Sequence, residues 1–394
     1  MKLSGRALQL KPSVTLAITQ KVKEMRERGI DVIGFGAGEP DFDTPLNIKK
    51  SAIKAIEDGF TKYTASSGIE KLKEAVCEKF KKDNSLSYKP EEVVISCGAK
   101  HALYNILQVL CDKNDEVIIF SPYWVSYTEM VRLSSAEPRI VETAEADSFI
   151  PDTEKLKKAI TKRTRAIIIN SPSNPTGAVI DTARLEELAR IAVSKNIFVI
   201  SDEIYEMLIY DGLLHRSIGS LNDDIKKLTL TVNGVSKTYS MTGWRIGFVA
   251  GPLEVIKKIG ALQSHSTSNP TSISQMAALE ALKNTNEFAE QMRKEFALRR
   301  NRMIELINRL PRVSCTVPKG AFYTFPNISK TGYDSVRFAE KLLDEAHVAC
   351  VPGIAFGSDA HIRLSFATSM RNIETGLERI YNLLRKEKNE TDNS

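Results

Sequence analysis

Ser236, Lys237 and Arg245 lie together in the stretch NGVSKTYSMTGWR. A hydroxyl and a guanidinium fork suit a phosphate-like anion. A lysine beside them becomes a nucleophile towards a carbonyl carbon once its amine is neutral. Other short stretches hold groups that complement this trio. Gly98-Ala99-Lys100 opens a helical pattern, and the first N–H groups of a helix bind anions. Pro122-Tyr123-Trp124 offers a flat aromatic face, SPSNPTG offers the Asn174 amide, and SDEIY offers the Asp202 carboxylate and the Tyr205 phenol. Each alone has a plainer reading. A lysine is usually a solvated surface group, an aspartate after a strand is often a cap, Trp124 fits a core, and NPTG is a turn.

What sets these groups apart is the elements that carry them. Each follows a short, β-branched apolar run: 93–97 (VVISC), 116–121 (EVIIFS), 165–170 (RAIIIN), 197–201 (IFVIS) and 228–232 (LTLTV), with 246–250 (IGFVA) as a sixth run. Runs that are apolar almost throughout read as strands buried on both faces. Between them lie helical windows such as 182–195, which places Leu185, Leu188 and Ala192 on one face. The alternation predicts an α/β fold with a mostly parallel sheet between helices. In such sheets ligands bind beyond the carboxyl ends of the strands. Five strand ends would therefore bring their groups to one place.

Gathered there, the groups are those that pyridoxal phosphate (PLP) requires. The phosphate takes the amides of Gly98, Ala99 and Lys100, with Ser236 and Arg245. The pyridine nitrogen keeps its proton beside a carboxylate such as Asp202, so that the ring acts as an electron sink. Trp124 covers a ring face. Asn174 and Tyr205 donate to the ring oxygen, and Lys237 takes the aldehyde as a Schiff base.

The bulk properties bound the alternatives. The chain has 394 residues and is 42% hydrophobic, enough for roughly two domains. From 286 onwards a long charged helix, 286–310, leads into Pro311 and shorter α+β segments. The expected layout is a large domain at 46–285 and a smaller, discontinuous one from 1–45 and 286–394. A net charge of +6 comes from 55 basic and 49 acidic residues, interspersed along the chain, which argues against nucleic acid as a partner. The 5 cysteines are odd in number and lack C-x-x-C spacing, which argues against disulfides and a zinc site. A cytoplasmic enzyme without a metal or a membrane span is expected. GFGAGEP at 34–40 has G-x-G-x-G spacing where a dinucleotide fingerprint needs G-x-G-x-x-G, and no helix pattern follows it.

SPSNPTG, SDEIY, the SK–MTGWR segment and HIRLSFATS resemble the class I/II aminotransferases, PLP enzymes of fold type I. The likeness runs from about Lys11 to Arg379. KPSVTLAI, GAGEPDFDTP, KYTASSGI and SPYWVSY are similar to the bacterial branch of aspartate aminotransferases that also contains aspartate–prephenate aminotransferases. The resemblance implies a seven-stranded sheet in the large domain. It implies that Lys237 also moves a proton, and that Arg363 clamps the substrate α-carboxylate with Asn174, Gly38 and Trp124 beside it. Tyr63 would reach the phosphate of a neighbouring subunit, which implies a homodimer with shared active sites. One related branch reads the substrate's side-chain carboxylate with an arginine, but the stretch QSHSTSNP at 263–270 contains none. Lys100, Ser13 and Thr15 match the positions that do so in this branch, and Lys11 matches one associated with prephenate. Amino acids and 2-oxo acids are the implied partners: aspartate with 2-oxoglutarate first, with prephenate as a further candidate. An aromatic or alanine specificity and a PLP β-lyase stay open at this point, since they share the core motifs.

Overall fold

The computed structural model describes Leu3, Leu8 and residues 14–392. Its centre is a seven-stranded sheet. The strands are β2 (Val93–Ser96), β3 (Glu116–Ser121), β4 (Glu137–Glu142), β5 (Thr164–Asn170), β6 (Phe198–Asp202), β7 (Thr229–Gly234) and β8 (Gly247–Ala250), in the order β2-β8-β7-β6-β5-β3-β4. The pairings from β4 through to β7 are parallel, and β8 runs antiparallel to both β2 and β7. All residues of β2, β3, β7 and β8 are buried, as strands covered by helices on both faces must be.

Six of these strands coincide with the expected apolar runs, within a residue or two at their ends. β4 does not. Its sequence EPRIVE is polar and only Val141 is buried, so no apolar run marks it. It forms by pairing with β3 at the sheet edge, where charged side chains also discourage pairing with another chain. The helix expected at 182–195 forms as Thr182–Lys195, with Asp181 accepting from the Arg184 N–H as its cap. The long charged helix is Asn286–Ile307, ending before the expected residue 310.

A second group of strands stands apart from this sheet. β9 (Tyr323–Thr324), β11 (Val351–Pro352) and β12 (Ile362–Ser365) form an antiparallel three-stranded sheet in the order β11-β12-β9. β1 (Ile33–Gly34), near the start of the chain, pairs in parallel with β10 (Val348–Ala349) near its end. Segments on either side of the large sheet in sequence thus meet in space. Phe296, Phe322, Phe338 and Phe366 pack with Ile204, Leu208 and Tyr210, which follow β6, in one continuous apolar cluster. That cluster fixes the small sheet over the carboxyl ends of the large one. Among the described residues no helix is long and apolar enough to cross a membrane.

Candidate active site

The carboxyl ends of the parallel strands open into a cavity of about 470 Å³. Its lining includes Gly38, Ala99, Lys100, Trp124, Asn174, Asp202, Tyr205, Ser236, Lys237, Arg245 and Arg363. These come from strand ends far apart in sequence and, for Arg363, from β12 of the small sheet. Gly98 lies one residue behind the lining. Tyr63 does not line the cavity and is 89% exposed. Lys11 and Ser13 lie outside the described residues, as does the side chain of Thr15.

The floor is built by close backbone approach. Gly247 of β8 lies under the first turn of the helix Ala99–Leu110, and a Cβ on it would sit 2.1 Å from the Ala99 nitrogen. Gly98 has φ +87, a conformation that side chains disfavour, and a Cβ there would meet the Arg245 guanidinium at 2.3 Å. The helix N-terminus, its free N–H groups and Arg245 therefore share one small space. Arg245 is held there by the carbonyls of Thr242 at 2.9 Å and Cys97 at 3.3 Å. Among the described residues no carboxylate forms an ion pair with it, which leaves its charge available to an anion.

Lys237 points across the cavity and its Nζ donates to the Gly38 carbonyl at 2.5 Å. Burial brings its pKa down to about 8. Glu39 opposes this, while Arg363 and Arg245 assist it. Asp202, at the end of β6, is buried, and burial pushes its carboxyl up to about 6. The Tyr127 hydroxyl opposes that rise by donating to Oδ2 at 2.6 Å, and the Ile204 N–H approaches Oδ1 at 3.3 Å. Next to Asp202 in the chain, Glu203 with Glu206 and His215 brings ligand-type atoms within 4.8 Å of one another. Those carboxylates are already engaged, by His215 at 2.8 Å, Ser217 at 2.5 Å, Asn84, and the Lys79 ammonium.

Arg363 is fully enclosed, with 2% exposure. It donates to Asn174 Oδ1 and to the Gly36 carbonyl, each at 2.9 Å, and stacks on Tyr323 at 4.4 Å and Phe356 at 5.0 Å. Among the described residues its Nε has no partner. A buried cation is costly to leave uncompensated. The site thus holds positive charge ready for a carboxylate. The Gly38 backbone, expected beside that carboxylate, has its carbonyl engaged by Lys237, and Gly36 supplies the carbonyl that anchors Arg363. Lys100 Nζ lies 4.9 Å above the Trp124 ring, and partial burial, then Arg245, holds its pKa below that of a free lysine.

Several participants carried no signal that sequence reading used. Tyr127 stands inside SPYWVSY but had no assigned role. Tyr323, whose hydroxyl is 2.9 Å from that of Tyr205, sits on a two-residue strand without alternation. Asn170 ends β5 and accepts from the Asn174 N–H at 2.8 Å while donating to the Asp202 carbonyl at 3.0 Å. Glu39 and Thr242, joined at 2.7 Å, tie the GEPDF loop to the Lys237 segment.

A family model described as aminotransferase class I and II matches residues 30–380. The aspartate aminotransferase of Bacillus sp. (strain YM-2) is 50% identical over 383 residues, covering 96% of this chain and 98% of its own. The aspartate/prephenate aminotransferase of Thermus thermophilus is 46% identical over 385 residues, covering 97% and 98%. A structure of Thermus thermophilus aspartate aminotransferase with maleate superposes with a TM-score of 0.94 at 46% identity, over 98% of this chain and 100% of that one. The match spans both sheets and every strand end that lines the cavity, and the chain therefore belongs to the class I and II aminotransferases.

Proposed function

We propose that this aminotransferase takes an acidic amino acid, aspartate foremost, as donor and 2-oxoglutarate as acceptor, using PLP held on Lys237. The family depends on PLP as a class. The observation that carries the reading here is one cavity in which a lysine with a lowered pKa, a buried carboxylate and an enclosed arginine with a spare donor face the same space. The residues fit the cofactor. Ala99, Lys100, Ser236 and Arg245 would cradle its phosphate, the Gly98 N–H expected with them being taken by the Ser96 carbonyl at 2.7 Å, and Asp202 would hold the proton on its ring nitrogen. Trp124 covers the ring, and Asn174 and Tyr205 serve the ring oxygen. When bound, PLP supplies an electron sink for the electrons left when a bond to the substrate Cα breaks.

The protein's own groups do the rest. Arg363, aimed by Asn174 and Gly36, takes the substrate α-carboxylate bidentately, close to Trp124 and Gly38. Lys237 Nζ would take the proton from the substrate Cα, a task suited to an amine whose neutral form is accessible near neutral pH. Enclosure of Arg363 and Asp202 keeps water from competing for either. Lys100, with Ser13 and Thr15, reads the side-chain carboxylate.

The same reading includes a division into a large domain at 46–285 and a small one from 1–45 and 286–394, a homodimer in which Tyr63 serves the neighbouring site, and residence in the cytoplasm. The β1–β10 pairing supports the division. The exposure of the apolar side chains of Tyr63, Leu46, Ile53 and Ile56 supports the dimer. The relatives named for both aspartate and prephenate make prephenate a second acceptor to test.

A substrate panel tests the specificity: aspartate, glutamate, alanine and tyrosine as donors, with 2-oxoglutarate, oxaloacetate and prephenate as acceptors. Aspartate should exceed alanine in kcat/KM, and Lys100→Ala should erase most of that preference. An unchanged preference in Lys100→Ala would remove Lys100 from the reading. Release of pyruvate or ammonia in place of transfer would indicate a β-lyase.

A further inference from the structure

We infer that Tyr127 is a positioning residue: its hydroxyl fixes the Asp202 carboxylate while its ring braces Trp124, so that one side chain sets two of the cofactor contacts. The inference rests on the PLP reading of the cavity and goes beyond it by naming what orients the contacts.

Tyr127 is the second residue of the helix Ser126–Leu133, and its side chain is buried at 2% exposure. Its hydroxyl donates to Asp202 Oδ2 at 2.6 Å, within the range of hydrogen bonds to a charged oxygen. Its ring meets Trp124 edge-on, with centroids 5.3 Å apart and planes at 83°. The carboxylate has little else to hold it. The Ile204 N–H stands off at 3.3 Å, and Asn170 donates to the Asp202 backbone carbonyl and not to the carboxylate. A carboxylate that must face a ring nitrogen needs its other oxygen pinned, and the tyrosine hydroxyl does this without adding charge.

The groups facing Asp202 decide what removing that hydroxyl does. They are Tyr127 from its helix, Glu203 and Tyr205 from the same strand end, and Lys237 from across the cavity. Glu203 favours protonation of Asp202 and Lys237 opposes it, but among the influences that keep Asp202 ionised the Tyr127 hydrogen bond is the largest. Tyr127 stays a donor, because burial and the adjacent carboxylate raise its own pKa far above the working range. Without the hydroxyl, Asp202 takes up a proton at higher pH and its hold on the ring nitrogen is lost there.

Tyr127→Phe tests this in the holoenzyme, since it deletes one oxygen and keeps the ring and the helix packing. Cofactor retention is followed by visible absorbance as the pH is lowered. The acid limb should move up by about one pH unit, the equivalent of one hydrogen bond to a charged group. The kcat should fall about tenfold with the KM for aspartate within about twofold, a split that loss of packing alone would not give. Tyr127→Phe with the parent's acid limb and kcat would overturn the inference. Lys237→Ala, measured alongside, separates the two levels. If it keeps the parent's visible absorbance, the PLP reading itself fails; if it loses that absorbance while Tyr127→Phe behaves as the parent, only the role of Tyr127 falls.

Discussion

In the proposed reaction Lys237 and Arg363 carry most of the chemistry, and burial sets the state of both. An ordinary lysine, with a pKa of about 10.4, is neutral in about one molecule in 2,500 at pH 7. With its pKa at about 8, Lys237 is neutral in roughly one in ten. Capture of PLP by the apoenzyme should therefore quicken as pH rises and level off above about pH 8, followed as growth of visible absorbance. Glu39 raises the Lys237 pKa, so in Glu39→Gln the plateau should begin at lower pH. Arg363 pays for its burial with four partial compensations: the Asn174 amide, the Gly36 carbonyl and two aromatic faces. A lysine there keeps the charge but loses the planar fork. Arg363→Lys should lower kcat/KM for aspartate by about 30- to 150-fold, corresponding to about 2–3 kcal/mol for a lost charged hydrogen bond. Steady-state kinetics would read it, and a loss below threefold would contradict the clamp.

At the scale of elements, the proposed phosphate cradle depends on how near the helix Ala99–Leu110 comes to the sheet. Gly247 makes that distance possible, because a Cβ would strike backbone atoms of Gly98 and Ala99 that cannot rotate away. Gly247→Ala should destabilise the fold by about 1–3 kcal/mol through overpacking, and should weaken PLP binding in proportion to the displaced N–H groups. Gly212→Ala is the contrasting variant. Its Cβ meets nothing within 4 Å, so only its positive φ, +71, costs anything. Thermal denaturation of the two, with PLP affinity by absorbance titration, distinguishes crowding from backbone strain: only Gly247→Ala should lose affinity. The GEPDF loop is a second such element. Lys237, Thr242 and Ser240 bond to it and Trp244 bonds to Thr44 just beyond it, which ties the lysine segment to this side of the cavity.

The whole molecule adds a face that the single chain leaves bare. Tyr63, at 89% exposure, and Leu46, Ile53 and Ile56 of the neighbouring helix Leu46–Glu57 present apolar surface to solvent. In the proposed dimer Tyr63 completes the other subunit's phosphate site. Tyr63→Ala should then lower PLP affinity about tenfold, the worth of one hydrogen bond to a charged group. A sharper outcome is expected on mixing. In hybrid dimers of Tyr63→Ala and Lys237→Ala subunits, one site receives a native tyrosine and a native lysine. Activity per hybrid dimer should recover to about half that of the parent, whereas each variant alone stays impaired. No recovery on subunit exchange would show that Tyr63 serves its own chain or none.

Sequence determined what depends on local pattern. The six apolar runs became strands because continuous β-branched stretches have few other ways to hide both faces, and SDEIY, SPSNPTG and SK–MTGWR fell at strand ends because the polar residues begin where the sheet stops. Tertiary structure alone decided what depends on pairing across distance. β4 is a strand only because β3 is beside it. Gly36 anchors Arg363 and the Gly38 carbonyl accepts from Lys237, contacts that depend on where the approach of β1 to β10 places this loop. Tyr127 faces Asp202 because the helix after β3 and the end of β6 meet at the same edge, and no pattern within either segment records that.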